Sequence, residues 1–493
     1  MSAAVRSVAV VGGGPAGSVC ALELSRLLPG TAVDLYDRDD EGPGAGIVMT
    51  HDFAERLKAV HPEALHVPES ACASWDHTVT VIGGERIVSG AFGMSGLSRQ
   101  VFRAHVRELA AARPNVRLIR QTVTELPSRA DVVVLANGAG SGQRRTLRHR
   151  FGTATAAGRT RYLWLSTPTV VEPCFLLKDL GPGPLVVHAY PHGPAESTFI
   201  VEADPDTLNA HGLLDPPVAE VERRLAALFS AELAGAPLTA RTNSWQAFRT
   251  VVNRRWFHER AVLVGDAAHT VHFSTGSGTA LAIDDALCLA RALAEHSDPG
   301  DAFAKYEAAR RPVAEQAQAE ARESTAWFEQ LCRVGRLRGH QTVFALRSRR
   351  QANTFSRLRE RDPEFVARTV AVLAGHATDA EPVDLPLTVG PLRLTHRLVR
   401  LDVDGSNCVL RGPDGTRAAG LVVDRTPSHL PAGVDFLAVP ARPGPGRVTR
   451  SEAADRVRGS AAVPVALLVP QGLSRDEANT LIAAGRTDLV ARS

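Results

Sequence analysis

The stretch Ser7-Val8-Ala9-Val10-Val11-Gly12-Gly13-Gly14-Pro15-Ala16-Gly17 decides the fold. Its first half, with Val5, is a short, continuous, β-branched apolar run, the pattern of a strand buried in a parallel sheet. Glycines then fall in the spacing GxGxxG at Gly12, Gly14 and Gly17, with Pro15 and Ala16 between the last two. Residues 18–28 have helical composition, and 31–36 read as a second strand ending at Asp37-Arg38. Gly12 permits the tight turn, Gly14 lets a pyrophosphate approach the backbone, and Gly17 lets the helix pack close to the strand. The helix N-terminus would face the phosphates with unpaired N–H groups. Asp37 lies about twenty residues on, where a carboxylate can accept from ribose hydroxyls. A Gly-rich turn without a ligand would carry the same glycines. Strand, turn, helix, strand and acid in this order favour a bound dinucleotide, and the motif alone does not say which.

Two further strand-to-turn signals follow. Residues 131–136 (DVVVLA) are another buried strand running into Asn137-Gly138-Ala139-Gly140-Ser141, with Arg144 six residues after Gly138. Residues 261–264 (AVLV) form a strand that ends in Gly265-Asp266-Ala267-Ala268-His269. Beyond the stretch 274–279 (STGSGT) a long helix is predicted over 280–294, with Asp284 and Asp285 in its first turns. Asp266 at a strand end can hold a ribityl hydroxyl. Gly276, Gly278 and Thr279 put bare backbone N–H groups at a helix N-terminus, where an anion such as the N1–C2=O edge of a reduced flavin is stabilised. A plain N-terminal turn is the other reading of those glycines.

Composition narrows the field. The chain has 493 residues, room for two to four domains at roughly 100–200 residues each. With 44% hydrophobic and 22% charged residues, it is globular rather than disordered. A formal charge of +3 gives no electrostatic footprint for nucleic acid. The only lysines are Lys58, Lys178 and Lys305, none preceded by glycine, which excludes a P-loop. The cysteines, Cys20, Cys72, Cys174, Cys288, Cys332 and Cys408, are scattered. They form no CxxC pair and no zinc spacing, so no metal is expected, and reduced thiols point to the cytoplasm. No apolar run approaches ~18 residues, so no membrane span is expected. The first thirty residues lack a cleavage pattern and read as fold, not as a signal peptide. There is no second GxGxxG, hence no separate NAD(P)H domain, and no HExxH or GxSxG.

Taken together, the three signatures resemble the class A flavoprotein monooxygenases, the single-component aromatic hydroxylases, over about residues 5–370. The segment 265–286 (GDAAHTVHFSTGSGTALAIDDA) is similar to the branch acting on salicylyl-CoA and 2-aminobenzoyl-CoA, with His272-Phe273-Ser274 where other branches carry a proline. Residues 44–57, Gly96-Leu97-Ser98-Arg99, 187–191, 198–202, Arg347-Ser348 and Arg361-Asp362-Pro363 resemble the same branch. Hydroxylases of tryptophan-derived pigments share several of these stretches. One departure stands out: the aspartate of the family's second motif is Asn137 here, an amide that keeps hydrogen bonding and loses the charge.

The resemblance implies a Rossmann-like α/β FAD-binding domain of the glutathione-reductase type with an inserted β-sheet substrate domain. FAD-binding parts would span about 1–75, 95–153 and 251–375, and the substrate sheet about 76–94 and 154–250. FAD would be the cofactor and NAD(P)H the co-substrate. The implied cycle is reduction of FAD, capture of oxygen as a flavin C4a-hydroperoxide, and attack on it by an electron-rich ring. The protein would keep the site dry and orient the ring. The implied cofactor residues are Gly12, Gly14, Pro15, Ala16, Gly17, Asp37, Arg38, Arg99, Asn137, Gly138, Gly265, Asp266, Gly276, Gly278 and Thr279. Catalytic candidates are His272, Phe273 and His51, and substrate candidates His188, Tyr190 and His192. A packed or surface histidine is the plainer reading of each imidazole. The partner would be a small aromatic substrate, free or held as a CoA or carrier-protein thioester. The chain would be a monomer or homodimer, with neither nucleic acid nor membrane as partner. An indolic substrate, a non-hydroxylating flavin oxidoreductase and a FAD-fold binding scaffold are the alternatives. The basic runs Arg144-Arg145, Arg148, Arg150 and Arg347, Arg349, Arg350 read as solvated faces or as docking sites for CoA phosphates or an acidic carrier.

Composition shifts near residue 374, and 376–386 reads as a linker. Short strands are predicted at 396–401, 420–423, 434–439, 463–469 and 487–491, with a helix over 474–485 that Ser474 and Glu477 would cap. Residues 387–493, a small α/β segment, resemble fragments of the old-yellow-enzyme barrel fused behind this branch. About 250 residues are needed for such a barrel, so a degenerate remnant without FMN is expected. Pro470-Gln471 stand where the barrel's phosphate-binding glycine would be.

Overall fold

The computed structural model describes residues 5–38, 45–90, 93–331 apart from 180 and 182, and 339–492 apart from 390–391, 405–406, 412–415, 424–433, 442–462 and 470–472. Two compact units divide the chain. Met1–Asp76, Phe92–Leu176 and Leu185–Ala321 form the first, and His77–Ala91, Leu177–Pro184 and Arg322–Ser493 the second. Among the described residues no helix is long and apolar enough to cross a membrane, and no cluster of three or more metal-ligating side chains occurs.

A six-stranded sheet frames the first unit, in the order Phe257–His258, Ala261–Leu263, Val132–Leu135, Ser7–Val11, Ala32–Asp37, Val116–Arg120. All neighbours are parallel except the first pair. Crossover helices cover both faces of such a sheet, so its strands must be apolar throughout. Accordingly Val8, Ala9, Val10 and all of Val132–Leu135 are at most 1% exposed. Val11 pairs with both Tyr36 and Leu135, and Leu135 with Leu263. The carboxyl ends of four strands are therefore level, where the strand order reverses and α/β sheets hold their ligands.

Backbone proximity explains the glycines at the first turn. Gly12 has φ +113°, and a Cβ there would lie 2.6 Å from the Ala136 carbonyl oxygen. A Cβ at Gly17 would overlap the Gly12 carbonyl oxygen. Helix Pro15–Leu27 starts on extended Gly14 with Pro15 in its first turn and no side-chain cap. Proline loses nothing there, since that N–H has no partner inside the helix.

The unit's second sheet is antiparallel. Thr153–Thr167 pairs with Ser197–Ala203 and Gln246–Asn253, and Ser197–Ala203 pairs with Pro184–Pro191. Side chains alternate along a strand, so register decides which share a face. Tyr162 stands opposite Glu202 and Trp164 opposite Ile200. His188 also stands opposite Ile200, and Tyr190 opposite Thr198. One face thus gathers Tyr162, Trp164, His188, Tyr190 and Glu202. A small sheet of Gly46–Thr50, Met94–Ser98 and Cys72–Trp75 completes the strands that position the site.

The second unit holds the hairpin Thr78–Ile82/Glu85–Ser89, helices Gly339–Arg347, Phe355–Arg361 and Pro363–Ala374, and a seven-stranded sheet. That sheet runs in one line: Leu398–Arg400, Leu489–Arg492, Val465–Val469, Phe436–Pro440, Arg417–Val422, Asn407–Arg411, Asp402–Asp404. Its first five strands are parallel. Helix Arg475–Ala483 packs Leu481 and Ile482 against Leu467 and Val490. Ser474 caps it by accepting from the Glu477 N–H at 3.1 Å. Pro470 and Gln471 lie outside the described residues.

Candidate active site

The first turn presents an open cradle. A Cβ on Gly14 would meet nothing within 4 Å, and the amides of the helix behind it have no side-chain cap and no acidic residue in the first turn. Ala16 is buried against the core. Asp37 sits at the end of its strand, only 4% exposed. Its carboxylate takes Arg103 Nη2 on both oxygens at 2.9 Å and Arg107 Nη1 at 2.7 Å. Burial would raise its pKa, but the two guanidiniums outweigh burial and hold it below the usual carboxylate range. Arg38, next in sequence, is exposed.

The second and third turns are stitched to each other. Gly138, at φ +77°, also faces open space. Asn137 Nδ2 donates to Gln143 Oε1 at 2.8 Å, while Asn137 Oδ1 is buried with no partner among the described residues. Arg144, 1% exposed, reaches the carbonyls of Ala139 at 2.5 Å and Ala267 at 3.2 Å. Below them Asp285 accepts from His269 Nε2 and Arg310 Nε, each at 2.7 Å, and from the Gly265 amide at 3.3 Å. Asp266 is reached by solvent, yet it lies deep enough that burial is the largest influence and pushes its carboxyl up, against Arg99, His269 and Arg144. Arg99 is the reciprocal case: burial lowers it and Asp266 opposes. Gly276 adopts the left-handed conformation at φ +65°. Helix Gly278–Glu295 then begins with Thr279 in its first turn and no side-chain cap.

These features fit a flavin dinucleotide. Among the described residues, bare backbone opens at Gly14 and Gly138, a buried amide oxygen lacks a donor, an accessible carboxylate stands at a strand end, and two helix N-termini have no side-chain cap. Such positions accept phosphates, hydroxyls and an electron-rich ring edge.

Beside Gly276 lies an aromatic cluster centred on Phe273. Its ring is 4.9 Å from Tyr162, 5.9 Å from Trp164, 5.3 Å from His188 and 6.4 Å from Phe248. Trp164 Nε1 has no partner among the described residues. His272 lies 4.1 Å from Phe273 and 4.7 Å from Phe248. Its Nδ1 meets Ser274 Oγ at 2.9 Å, and its Nε2 faces Glu202 Oε1 at 3.7 Å. His188 Nε2 is 3.2 Å from Glu202 Oε2.

The other expected residues are placed differently. Tyr190 donates its hydroxyl to the Gly46 carbonyl at 3.0 Å and stacks on Trp75. Burial pushes its phenol up to about 12. His192 contacts Thr198 Oγ1 at 3.2 Å and Glu196 at 3.3 Å, and burial lowers its pKa. His51 is exposed at the head of helix His51–Val60, and among the described residues no hydrogen bond or ring contact joins it to His272 or Phe273. Arg144 and Arg349 correct the reading of both basic runs as solvated faces. Both are buried, Arg349 bonding Ser324 Oγ and the Leu346 carbonyl, because a guanidinium with several donors satisfies carbonyls that no backbone amide reaches. Sequence reasoning missed Arg103, Arg107, Gln143, Tyr162, Trp164 and Glu202. The period-2 alternation of their strands was the available signal for the last three.

A FAD binding domain model matches residues 93–321, and a pyridine nucleotide-disulphide oxidoreductase model matches residues 6–159. The chain is 32% identical to a salicyloyl-CoA 5-hydroxylase of Streptomyces sp, across 98% of this chain and 99% of that one. It is 36% identical to the 3-hydroxy-4-methyl-anthranilyl-[aryl-carrier protein] 5-monooxygenase of Streptosporangium sibiricum, across 66% of this chain and 89% of that one. Among solved structures, the tetrameric form of 2-methyl-3-hydroxypyridine-5-carboxylic acid oxygenase shares the fold, with TM-score 0.56, 20% identity, and coverage of 70% of this chain and 96% of that one.

Proposed function

This chain belongs to the FAD-dependent aromatic monooxygenases, and from that premise we propose that it hydroxylates an amino- or hydroxybenzoyl group carried as a thioester. The observation that carries the reading is the aromatic cluster around Phe273, set beside the uncapped helix start at Gly278. When bound, FAD supplies activation of oxygen with electrons drawn from NAD(P)H. The chain's own residues bind, orient and keep the site dry. Tyr162, Trp164 and Phe248 enclose Phe273 and present apolar walls to an aryl ring, and offset or edge contacts hold such a ring at about 0.5–1.5 kcal/mol per pair. The Trp164 N–H, without a partner among the described residues, is a donor for an oxygen on the substrate. Two relatives named for a CoA thioester and a carrier-bound aryl group support the thioester.

A basic patch favours a carrier protein over CoA. Arg145, Arg148, Arg150, Arg254 and Arg255 are exposed. They come from two segments about a hundred residues apart in sequence, joined where the Arg255 amide donates to the Phe151 carbonyl at 3.0 Å. Among the described residues none has a carboxylate partner. A carrier with an acidic face would be steered to such a patch. The free cysteines among the described residues, Cys20, Cys72, Cys174, Cys288 and Cys408, suit the cytoplasm. The test is a screen of aryl acids, aryl-CoA thioesters and carrier-bound aryls for stimulated NAD(P)H oxidation, with mass spectrometry of the product. A gain of one oxygen on a thioester supports the reading. Stimulation by free acids alone refutes it.

A further inference from the structure

We propose that Glu202 is a positioning residue whose carboxylate fixes the tautomer and orientation of His188 at the edge of the aromatic cluster. The hydrogen-bond pattern stands by itself, and only the identity of the ring in that pocket rests on the function proposed above.

Glu202 is 1% exposed on a strand whose seven residues are all buried. A carboxylate taken that far from water must be compensated by donors. Two reach it from two other segments. Thr160 Oγ1 donates to Oε1 at 2.8 Å, and His188 Nε2 lies 3.2 Å from Oε2. His272 Nε2 faces Oε1 from 3.7 Å, beyond hydrogen-bond reach. An ionised carboxylate only accepts, so His188 must carry its proton on Nε2. His272 is settled from its other side. The Ser274 backbone amide, which can only donate, points at His272 Nδ1 from 3.3 Å. The lone pair of the neutral ring is therefore on Nδ1 and its proton on Nε2, toward Glu202. Both imidazoles thus carry the proton on Nε2, His188 held there by the buried acid and His272 by the Ser274 amide, and the two rings flank Phe273.

The groups facing Glu202 are Thr160 and Tyr162 from Thr153–Thr167, His188 from Pro184–Pro191, and His272 from the segment before Phe273–Thr275.

Glu202→Gln tests this. With Thr160 donating to the amide oxygen, the amide NH2 faces His188 Nε2, where it can only donate and drives the ring proton to Nδ1. In the FAD-loaded protein without substrate, 15N NMR of the histidine rings should show His188 leaving the Nε2–H tautomer, with His272 and bound FAD unchanged. Glu202→Asp, which keeps the charge, should preserve the wild-type tautomer while lowering turnover, and it decides the matter if the glutamine variant does not fold. An unchanged His188 tautomer in the glutamine variant, or its loss in the aspartate variant, would overturn the proposal. Because these readouts need no substrate, failure of every thioester in the screen would leave them intact.

Discussion

Gly12 and Gly14 stand two residues apart in one turn, and the structure predicts opposite consequences for adding the same methyl group to each. At Gly12 the backbone has φ +113°, and a new Cβ would lie 2.6 Å from the Ala136 carbonyl oxygen. Strain of about 1–3 kcal/mol for the dihedral adds to about 1–3 kcal/mol for overpacking. The sum, about 2–6 kcal/mol, is a large share of the roughly 5–15 kcal/mol that holds a domain together. At Gly14 the backbone is extended, with φ −74° and ψ 178°, and a Cβ would meet nothing within 4 Å. Alanine there loses about 0.5–1 kcal/mol as an N-cap, offset by about 0.4–1 kcal/mol from a less flexible unfolded chain. The methyl group instead fills the space a pyrophosphate needs. Gly14→Ala apoprotein should therefore unfold in urea within about 0.5 kcal/mol of wild type while its FAD affinity, followed by flavin fluorescence, falls tenfold or more. Gly12→Ala should lower the urea midpoint sharply. Equal destabilisation by the two, or undiminished FAD affinity in Gly14→Ala, would refute the reasoning.

Asn137→Asp should destabilise the protein by about 1–3 kcal/mol in thermal melts. The new carboxylate would face Gln143 Oε1, and Gln143 cannot turn over without losing its 2.6 Å bond to the Val123 carbonyl. Glu23 is buried between Arg26 and His61, which outweigh the upward push of burial and hold its carboxyl at about 2. A depressed folded-state pKa adds stability that is complete above the ordinary value near 4.5 and is lost as pH falls toward 2, by an amount on the order of 3 kcal/mol. Urea midpoints should accordingly drop between pH 5 and about 2, and Glu23→Gln should flatten that drop. Arg148→Glu with Arg254→Glu should raise KM for a carrier-bound substrate at least tenfold and abolish its salt dependence, with FAD content unchanged; equal KM values at low and high salt in the wild type would discard the docking patch.

The nucleotide-binding half was legible because its signals are local. A strand buried on both faces must be apolar in sequence, Gly17 is required by the Gly12 carbonyl about one turn away, and Gly12 by its own left-handed backbone. The same holds for Asp266 at its strand end and for the helix that starts at Gly278. The substrate face was legible only in part. His188 could be singled out, but Glu202 became visible once register set it opposite Tyr162 and within reach of His188. Nothing in a linear reading separates Tyr190, which supports Gly46, from His188, which touches Phe273. The pairing of Asp37 with Arg103 and Arg107 spans about seventy residues and has no local mark.

Arg99, Arg103 and Arg107 recur every fourth residue along helix Arg99–Ala111, a spacing that lines one stripe of a helix. The first answers to Asp266, the other two to Asp37. One rigid rod therefore gauges the separation of two acidic strand ends. Mutations at either acid should not combine independently, and a double-mutant cycle pairing them is expected to show coupling despite their distance in sequence. Evolution of this scaffold toward new ring systems would then be freest on the antiparallel strands, which that rod leaves unconstrained.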